Sequence, residues 1–293
     1  LVTKTTINLI AVIATSFATA QTPETIFAVD ARPTFFLGDG RNAQLRWFDA
    51  YGRPSTVGIK GRFPDGKRFT VTQRLARHIG DGDPDQADEY FLESPGEWRI
   101  GKQLLPFGQK NLIRETALAL RLDTDLVFDN APISFAVVDA GRGRERGIIG
   151  RIGESFGLSF AFGEHFAIQD SSLSILRQDL RGFGKARGYQ SIYGADTVIF
   201  ADRFTFDFEV VALRQGHTNL DQDDFASDIR ATYQLPNGRD RISAGWARQW
   251  RDAVDAWRID GEFVLRDQIV LMPHVRFGSR GLGQFGTTVR FRL

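Results

Sequence analysis

The chain has 293 residues, 42% of them hydrophobic and 25% charged, which excludes a disordered polymer. A formal charge of +1 carries none of the basic excess that marks a nucleic-acid partner. Zero cysteines exclude a disulfide framework, a thiolate metal site and a cysteine nucleophile, whereas 25 Phe and 30 Gly are an unusual wealth.

The N-terminus has three parts: a lysine-bearing LVTK, an apolar INLIAVIATSFA, and the small-x-small triplet Ala18-Thr19-Ala20. This order predicts a secretory signal peptide over residues 1–20, cleaved after Ala20. The apolar part is shorter than the roughly 20 residues of a membrane-spanning helix. Its removal takes Lys4 and no acid, so the exported chain, residues 21–293, is neutral and forms one domain.

Beyond the leader, alternation recurs. Segments STVGIKGRF, KRFTVTQRL, GEWRIGKQ and SDIRATYQL each place apolar side chains on one parity and polar ones on the other. In RFTFDFEVVAL, Phe204, Phe206, Phe208 and Val210 oppose Thr205, Asp207 and Glu209. In DAWRIDGEFVLRD, Trp257, Ile259, Phe263 and Leu265 oppose Arg258, Asp260 and Glu262. The period of two denotes half-apolar β-strands. The last nine residues, FGTTVRFRL, keep it to the end, with Phe285, Thr287, Val289, Phe291 and Leu293 on one side.

A soluble sandwich turns such faces inward; a membrane barrel turns them to lipid and keeps the polar faces wet. Connection lengths separate the two. Read backward from the C-terminus, GSRGLGQ, WRDAVD, QGHTNLDQDD and LRGFGKARG alternate with tight turns near Asp267, at PNGRD and at Ala201-Asp202. Short turns at one end and longer loops at the other are the habit of outer-membrane barrels. Trp246, Trp250, Trp257, Phe277, Phe285 and Phe291 fall near strand ends, as in interfacial aromatic girdles. The fold class is therefore all-β: a transmembrane antiparallel barrel of about 16 strands, with 14 and 18 as the neighbouring even counts. Sixteen strands leave roughly 17 residues for each strand and its loop, so loops must be short.

Residues 104–129, LLPFGQKNLIRETALALRLDTDLVFD, break the pattern. The middle, NLIRETALALRLD, holds good helix formers, so a long, partly helical loop is expected to enter the lumen as a constriction bearing Lys110, Arg114, Glu115 and Arg121. Another strand over Thr116–Leu122 is the competing reading. The run GEWRIGKQLLPFGQKNLIRET resembles the strand, Pro-Phe-Gly and Glu-bearing loop of bacterial outer-membrane porins of the phosphate-selective porin O/P type, over about residues 55–125. That resemblance implies a sixteen-stranded, trimeric, diffusive channel. No binding residue is carried over from it.

In a barrel the polar parity is the pore wall. Basic residues on it are Lys60, Arg62, Arg68, Arg74, Arg99, Arg230, Arg258, Arg276, Arg290 and Arg292. The acids are Glu97, Asp207, Glu209, Asp228, Asp260 and Glu262. The basic surplus favours anions, unless charges on neighbouring strands cancel. Arg248 shares parity with Trp246 and Trp250; facing lipid at the midplane it would cost ~2–4 kcal/mol, so it must lie at an interface or mark a bulge.

Other charged clusters read as solvated. GDGDPDQADE groups Asp81, Asp83, Asp85, Asp88 and Glu89, but Gln86 stands where an EF-hand needs Gly and Leu92 where it needs Glu, so no metal is expected. Asp221, Asp223 and Asp224 read alike. Arg142, Arg144 and Arg146 in GRGRERG fit a turn or channel lining, not nucleic acid. None of His78, His165, His217 and His274 stands in a recognisable catalytic motif, so neither enzymatic activity nor a cofactor is expected. The sequence thus predicts a porin of a diderm outer membrane, passing small hydrophilic solutes. Its neighbours there would be lipid, lipopolysaccharide and the barrel-assembly machinery, which reads a C-terminal pattern like FGTTVRFRL although the usual last residue is aromatic. An outer-membrane enzyme or adhesin working through extracellular loops is the alternative.

Overall fold

A computed structural model of the chain describes residues 23–38, 44–49, 53–76, 86–109, 112, 116–125, 131–139, 146–164, 189–215, 224–251, 253–278 and 283–293. The expected leader lies outside the described residues. Eighteen strands follow one another: β1 (Glu24–Ala31), β2 (Thr34–Gly38), β3 (Gln44–Arg46), β4 (Thr56–Arg62), β5 (Arg68–Arg74) and β6 (Ala87–Ser94). Next come β7 (Trp98–Leu104), β8 (Thr116–Asp125), β9 (Pro132–Asp139), β10 (Arg146–Ile152), β11 (Phe156–Glu164) and β12 (Tyr189–Ala201). The last are β13 (Phe204–Gln215), β14 (Asp224–Gln234), β15 (Arg241–Gln249), β16 (Val254–Arg266), β17 (Ile269–Gly278) and β18 (Gly283–Arg292).

These segments make sixteen barrel strands. β1 and β2 are two halves of the first, broken at Arg32-Pro33: β1 pairs with β4 and β18, β2 with β3 and β18. β3 and β4 are likewise halves of the second. Every other strand pairs antiparallel with its neighbours in sequence, and β18 closes on β1 through Asp30↔Arg292 and Ala31↔Phe291. The terminal strand also pairs with β2, Phe285 opposite Leu37. The C-terminal strand thus joins the stretch RPTFFLG, and among the described strands no edge is left to lipid.

Parity sorts the side chains. Ile59, Ile100, Leu120, Leu122, Val137, Ile199 and Ile259 point outward and stay well exposed, while their strand neighbours turn inward. An apolar surface of this extent around a whole barrel is unsustainable in water and natural in a bilayer. On β15–β17 the girdle is visible in the register: Trp246 opposes Trp257, which opposes Phe277. At the other end Phe204 and Tyr233 pack with ring centroids 4.9 Å apart.

Short connections gather at one end: 63–67, 95–97, 153–155, 202–203, 235–240 and 267–268. Glycine serves four of them with positive φ, at Gly66, Gly96, Gly153 and Gly238. In the turn 235–240, Asp240 accepts from the backbone of Val264 and from Asn237, which holds its carboxyl below the usual range. The longer connections occupy the opposite end, as the loop asymmetry predicted.

Arg248 settles in favour of the interface. The register across Arg248↔Asp255 is unbroken, so there is no bulge. Its guanidinium lies 4.9 Å from the Trp250 ring and 3.4 Å from Asp255, which also accepts from Trp246 Nε1. All of these groups cluster at the loop end of the barrel.

Of the two readings of residues 104–129, the structure takes the strand from Thr116 onward and corrects the helical one there: Thr116–Asp125 forms β8, hydrogen-bonded to β7 and β9 in regular register. Leu118, Leu120 and Leu122 face out; Ala117, Ala119, Arg121 and Asp123 face in. Both parities are apolar at its start, which hid the period of two.

Candidate pore and the two segments inserted in it

The first insertion begins where β7 ends. Leu105, Phe107 and Leu112 are almost completely buried within the barrel, in one apolar cluster with inward-facing Ala119, Ala136, Ile149 and Val211. Three fasteners hold the segment to the far wall. Gly108 N–H donates to Ser159 Oγ of β11 at 3.0 Å, Gln109 Nε2 to Asp196 of β12 at 2.8 Å, and Leu112 N–H to Glu209 of β13 at 3.1 Å. Asp196 also receives the Arg151 guanidinium. Burying two carboxylates costs several kcal/mol each unless donors reach them, and these donors do. Backbone shape matters too. Gly108 has φ +48°, and a Cβ there would stand 1.9 Å from Glu209 Oε1; one on Gly194 would stand 2.8 Å from the Phe107 ring.

The second insertion separates β3 from β4. Phe48 bridges to Pro54, Ser55 N–H donates to Trp47 O at 2.8 Å, and Asp49 N–H to Arg53 O at 3.0 Å. Asp49 Oδ1 returns the favour to Arg53 N–H at 2.9 Å. The base is clamped by Arg32: its guanidinium meets Asp49 at 2.5 Å in a buried pair, and its N–H donates to Ser55 Oγ. Phe48 packs on inward-facing Phe36, which lies edge-on to His274. Nothing in local patterning announced this hairpin; its signal is only the pair of strand breaks around Pro33 and Pro54.

The strand register carries Lys60, Arg62, Arg68, Arg74, Arg99, Arg121, Arg230, Arg258, Arg276, Arg290 and Arg292 to the inward face, with Asp207, Glu209, Asp228, Asp260 and Glu262. Glu97 is corrected: it lies in the turn 95–97, where it accepts from Ser94 Oγ, because β6 and β7 join there. Arg121 belongs to the wall, bonded to Asp123 and Ser134, and not to the inserted segment. Lys110, Arg114 and Glu115 lie outside the described residues. So do Asp81, Asp83, Asp85, Asp221, Asp223, Arg142, Arg144, His78, His165 and His217. Asp88 and Glu89 are not loop residues but sit in β6, where Asp88 takes Arg74 at 2.8 Å. Arg146 faces outward beside Asp139.

Most wall charges are matched across strands. Arg99 meets Glu93, Arg230 meets Asp207, Arg241 meets Glu262 and Arg290 meets Asp30. Arg258 grips Asp228 with two bonds of 2.9 and 2.7 Å, both side chains buried. Among the exposed cations that make no ion pair with the described residues are Lys60, Arg62, Arg68 and Arg292, with Arg62 and Arg68 directly opposed. All four lie toward the turn end, on the arc β18–β1–β4–β5.

Among the described residues, cavities of about 410 and 440 Å³ lie in the lumen. The first lies against β1, β4 and β18 and includes Lys60, Arg290 and Arg292; the second lies against β12–β17 and includes Asp207, Arg230, Arg241 and Glu262. Arg53, from the second insertion, lines both.

A closed sixteen-strand barrel with an apolar belt and a charged interior is the architecture of outer-membrane β-barrels. Comparison with known proteins agrees at the level of fold. No family model matches the chain, and neither does any curated protein sequence. Among solved structures it is similar to an outer-membrane protein of Vibrio cholerae, OmpT in its trimer form, with a TM-score of 0.66 at 8% identity over 93% of this chain and 100% of that one. The outer-membrane channel DcaP of Acinetobacter baumannii gives 0.66 at 10% identity, over 92% and 97% of the two chains. An anion-selective porin from Comamonas acidovorans gives 0.60 at 11%, over 92% and 99%.

Proposed function

We propose that this protein is a porin through which small hydrophilic solutes diffuse passively across a diderm outer membrane, with a preference for anions. The observation that carries the reading is the charged lumen itself: two polar-lined cavities inside a closed barrel, with Lys60, Arg62, Arg68 and Arg292 making no ion pair with the described residues. Charged rings set selectivity in such pores, and exposed Arg and Lys favour anions. Residues 105–109 and Leu112 narrow the loop-end half, and Lys110, Arg114 and Glu115 are proposed as charged members of the constriction. Likeness to porin folds and the Pro-Phe-Gly resemblance support the same role and a homotrimer; whether the pore is of the phosphate-selective O/P type is part of the proposal. Export would remove residues 1–20, and the barrel-assembly machinery would insert the remainder beside lipid and lipopolysaccharide.

The test is reversal potential across planar bilayers under a potassium chloride gradient, with refolded chain 21–293. Anion preference is expected, and cation preference overturns that part. A barrel that inserts but never conducts overturns the porin role and favours an enzyme or adhesin acting through the extracellular loops. N-terminal sequencing of the exported protein checks cleavage after Ala20.

A further inference from the structure

Strand register lays one row of unusual composition across the inner wall. Phe200 of β12 stands opposite Thr205 of β13, Thr205 opposite Thr232 of β14, and Thr232 opposite Ser243 of β15. Neighbouring strands lie ~4.8 Å apart, so these side chains follow one another along the wall of the second cavity, which all four line. The Thr232 and Ser243 hydroxyls meet at 2.9 Å. Two ion pairs frame the row: Arg230 with Asp207 at 3.0 Å on the loop side, and Arg241 with Glu262 at 2.5 Å on the turn side. Phe200 is the anomaly. Its neighbour Ile199 faces lipid, so the ring itself belongs to the lumen and not to the aromatic girdle, yet it is 73% exposed. Packing does not account for an aromatic ring left open on the wet face.

We infer that the second cavity is a binding site for uncharged sugars, with Phe200 as the platform on which a pyranose ring stacks. The inference names a solute class for the porin reading and rests on that reading. A pyranose has an apolar C–H face and a rim of vicinal hydroxyls. The open Phe200 ring suits the face, and a few placed polar groups beside an aromatic surface are the usual make-up of a small-molecule site. The hydroxyls of Thr205, Thr232 and Ser243, each both donor and acceptor, suit the rim. So do the framing pairs, since a guanidinium and a carboxylate keep further N–H groups and lone pairs after meeting each other. Charge separates the two cavities. Five bases face three acids around the first, but only four face three around the second, where an ion of either sign meets its own charge as well as the opposite one. The volume of about 440 Å³ lies within the ~300–1,000 Å³ of small-molecule sites and has room for a disaccharide.

The experiment titrates maltose against the potassium chloride current of the full barrel in planar bilayers, with mannitol and a polyethylene glycol of similar size as controls. Maltose is expected to reduce the current saturably. Mannitol, which has hydroxyls but no ring face, and the glycol should change it only in proportion to concentration. Phe200→Ala is expected to raise the half-saturating maltose concentration about tenfold without moving the reversal potential, since no charge changes. Phe200→Trp should retain saturation, and Thr232→Val should raise the half-saturating concentration about threefold. Phe200 is exposed, so its replacement leaves the wall intact, and heat-modifiable gel mobility confirms folding. A conducting wild-type channel with no saturable maltose response overturns the inference and leaves the porin standing. So does a folded Phe200→Ala channel with unchanged half-saturation, or mannitol that saturates as maltose does. A wild-type barrel without conductance overturns the porin reading. Calorimetric titration of maltose into the same folded barrel in detergent then decides the site by itself: binding lost in Phe200→Ala upholds it, and no binding overturns it.

Discussion

The two halves of the lumen wall use the same strand geometry for opposite ends. From β8 to β13 the loop-end inner surface is small and apolar, and Leu105, Phe107 and Leu112 close it like a protein core. From β18 through β1 to β5 the inner surface carries Asp30, Lys60, Arg62, Arg68, Arg290 and Arg292, and borders an open cavity. Inward parity thus does not mean polar. A wall is polar where water remains and apolar where the chain folds back on it. On the porin reading proposed above, the first half stiffens the barrel and the second is where selectivity is expected to arise.

That contrast can be broken at its foundation. Deleting Val289–Leu293 removes the pairing of β18 with β1 and the partners of Ile269 to Leu271, so both halves lose closure. Complete loss of assembly is expected, read as absence of a heat-modifiable folded band; normal insertion of the truncated chain would show that this strand does not close the barrel. Less drastic is Arg258→Ala, which strands buried Asp228. A destabilisation of about 3–5 kcal/mol is expected, measured by urea unfolding in vesicles.

The sealed half can be opened alone. Gly108→Ala combines an unfavourable φ with collision against Glu209, so Gly108, Gln109 and Leu112 should leave the wall and single-channel conductance should rise. Unchanged conductance would mean that this segment does not narrow the pore. Glu209→Gln, which weakens the acceptor for Leu112 N–H, should loosen the same segment by about 1–3 kcal/mol, seen as noisier open-channel current. The smallest effect belongs to the wet half. Raising salt from 0.1 to 1 M shrinks the screening length from about 10 to 3 Å, so anion preference should fade while conductance grows.

Legibility in the sequence followed the same division. In β13 the outward Phe204, Phe206 and Phe208 contrast with inward Asp207 and Glu209, and parity could be read directly. In β8 the inward Ala117 and Ala119 are as apolar as their outward neighbours, because the insertion covers them, and the strand passed for a helix. The ten-to-six count of wall bases over acids was legible, yet its cancellation was not. Arg290 finds Asp30 from 260 residues away, and no local pattern encodes that meeting.

The sequence alone determined a barrel of about sixteen antiparallel strands, its closing strand, which faces meet lipid, and which end bears the loops. Those properties follow from a period of two and from turn length, both local. Only the tertiary structure decided which charges neutralise one another, that Asp49 and Arg32 hold a hairpin inside the lumen, and that Asp196 and Glu209 fasten the first insertion. These depend on strands closing into a cylinder, which brings distant residues face to face across a few ångströms.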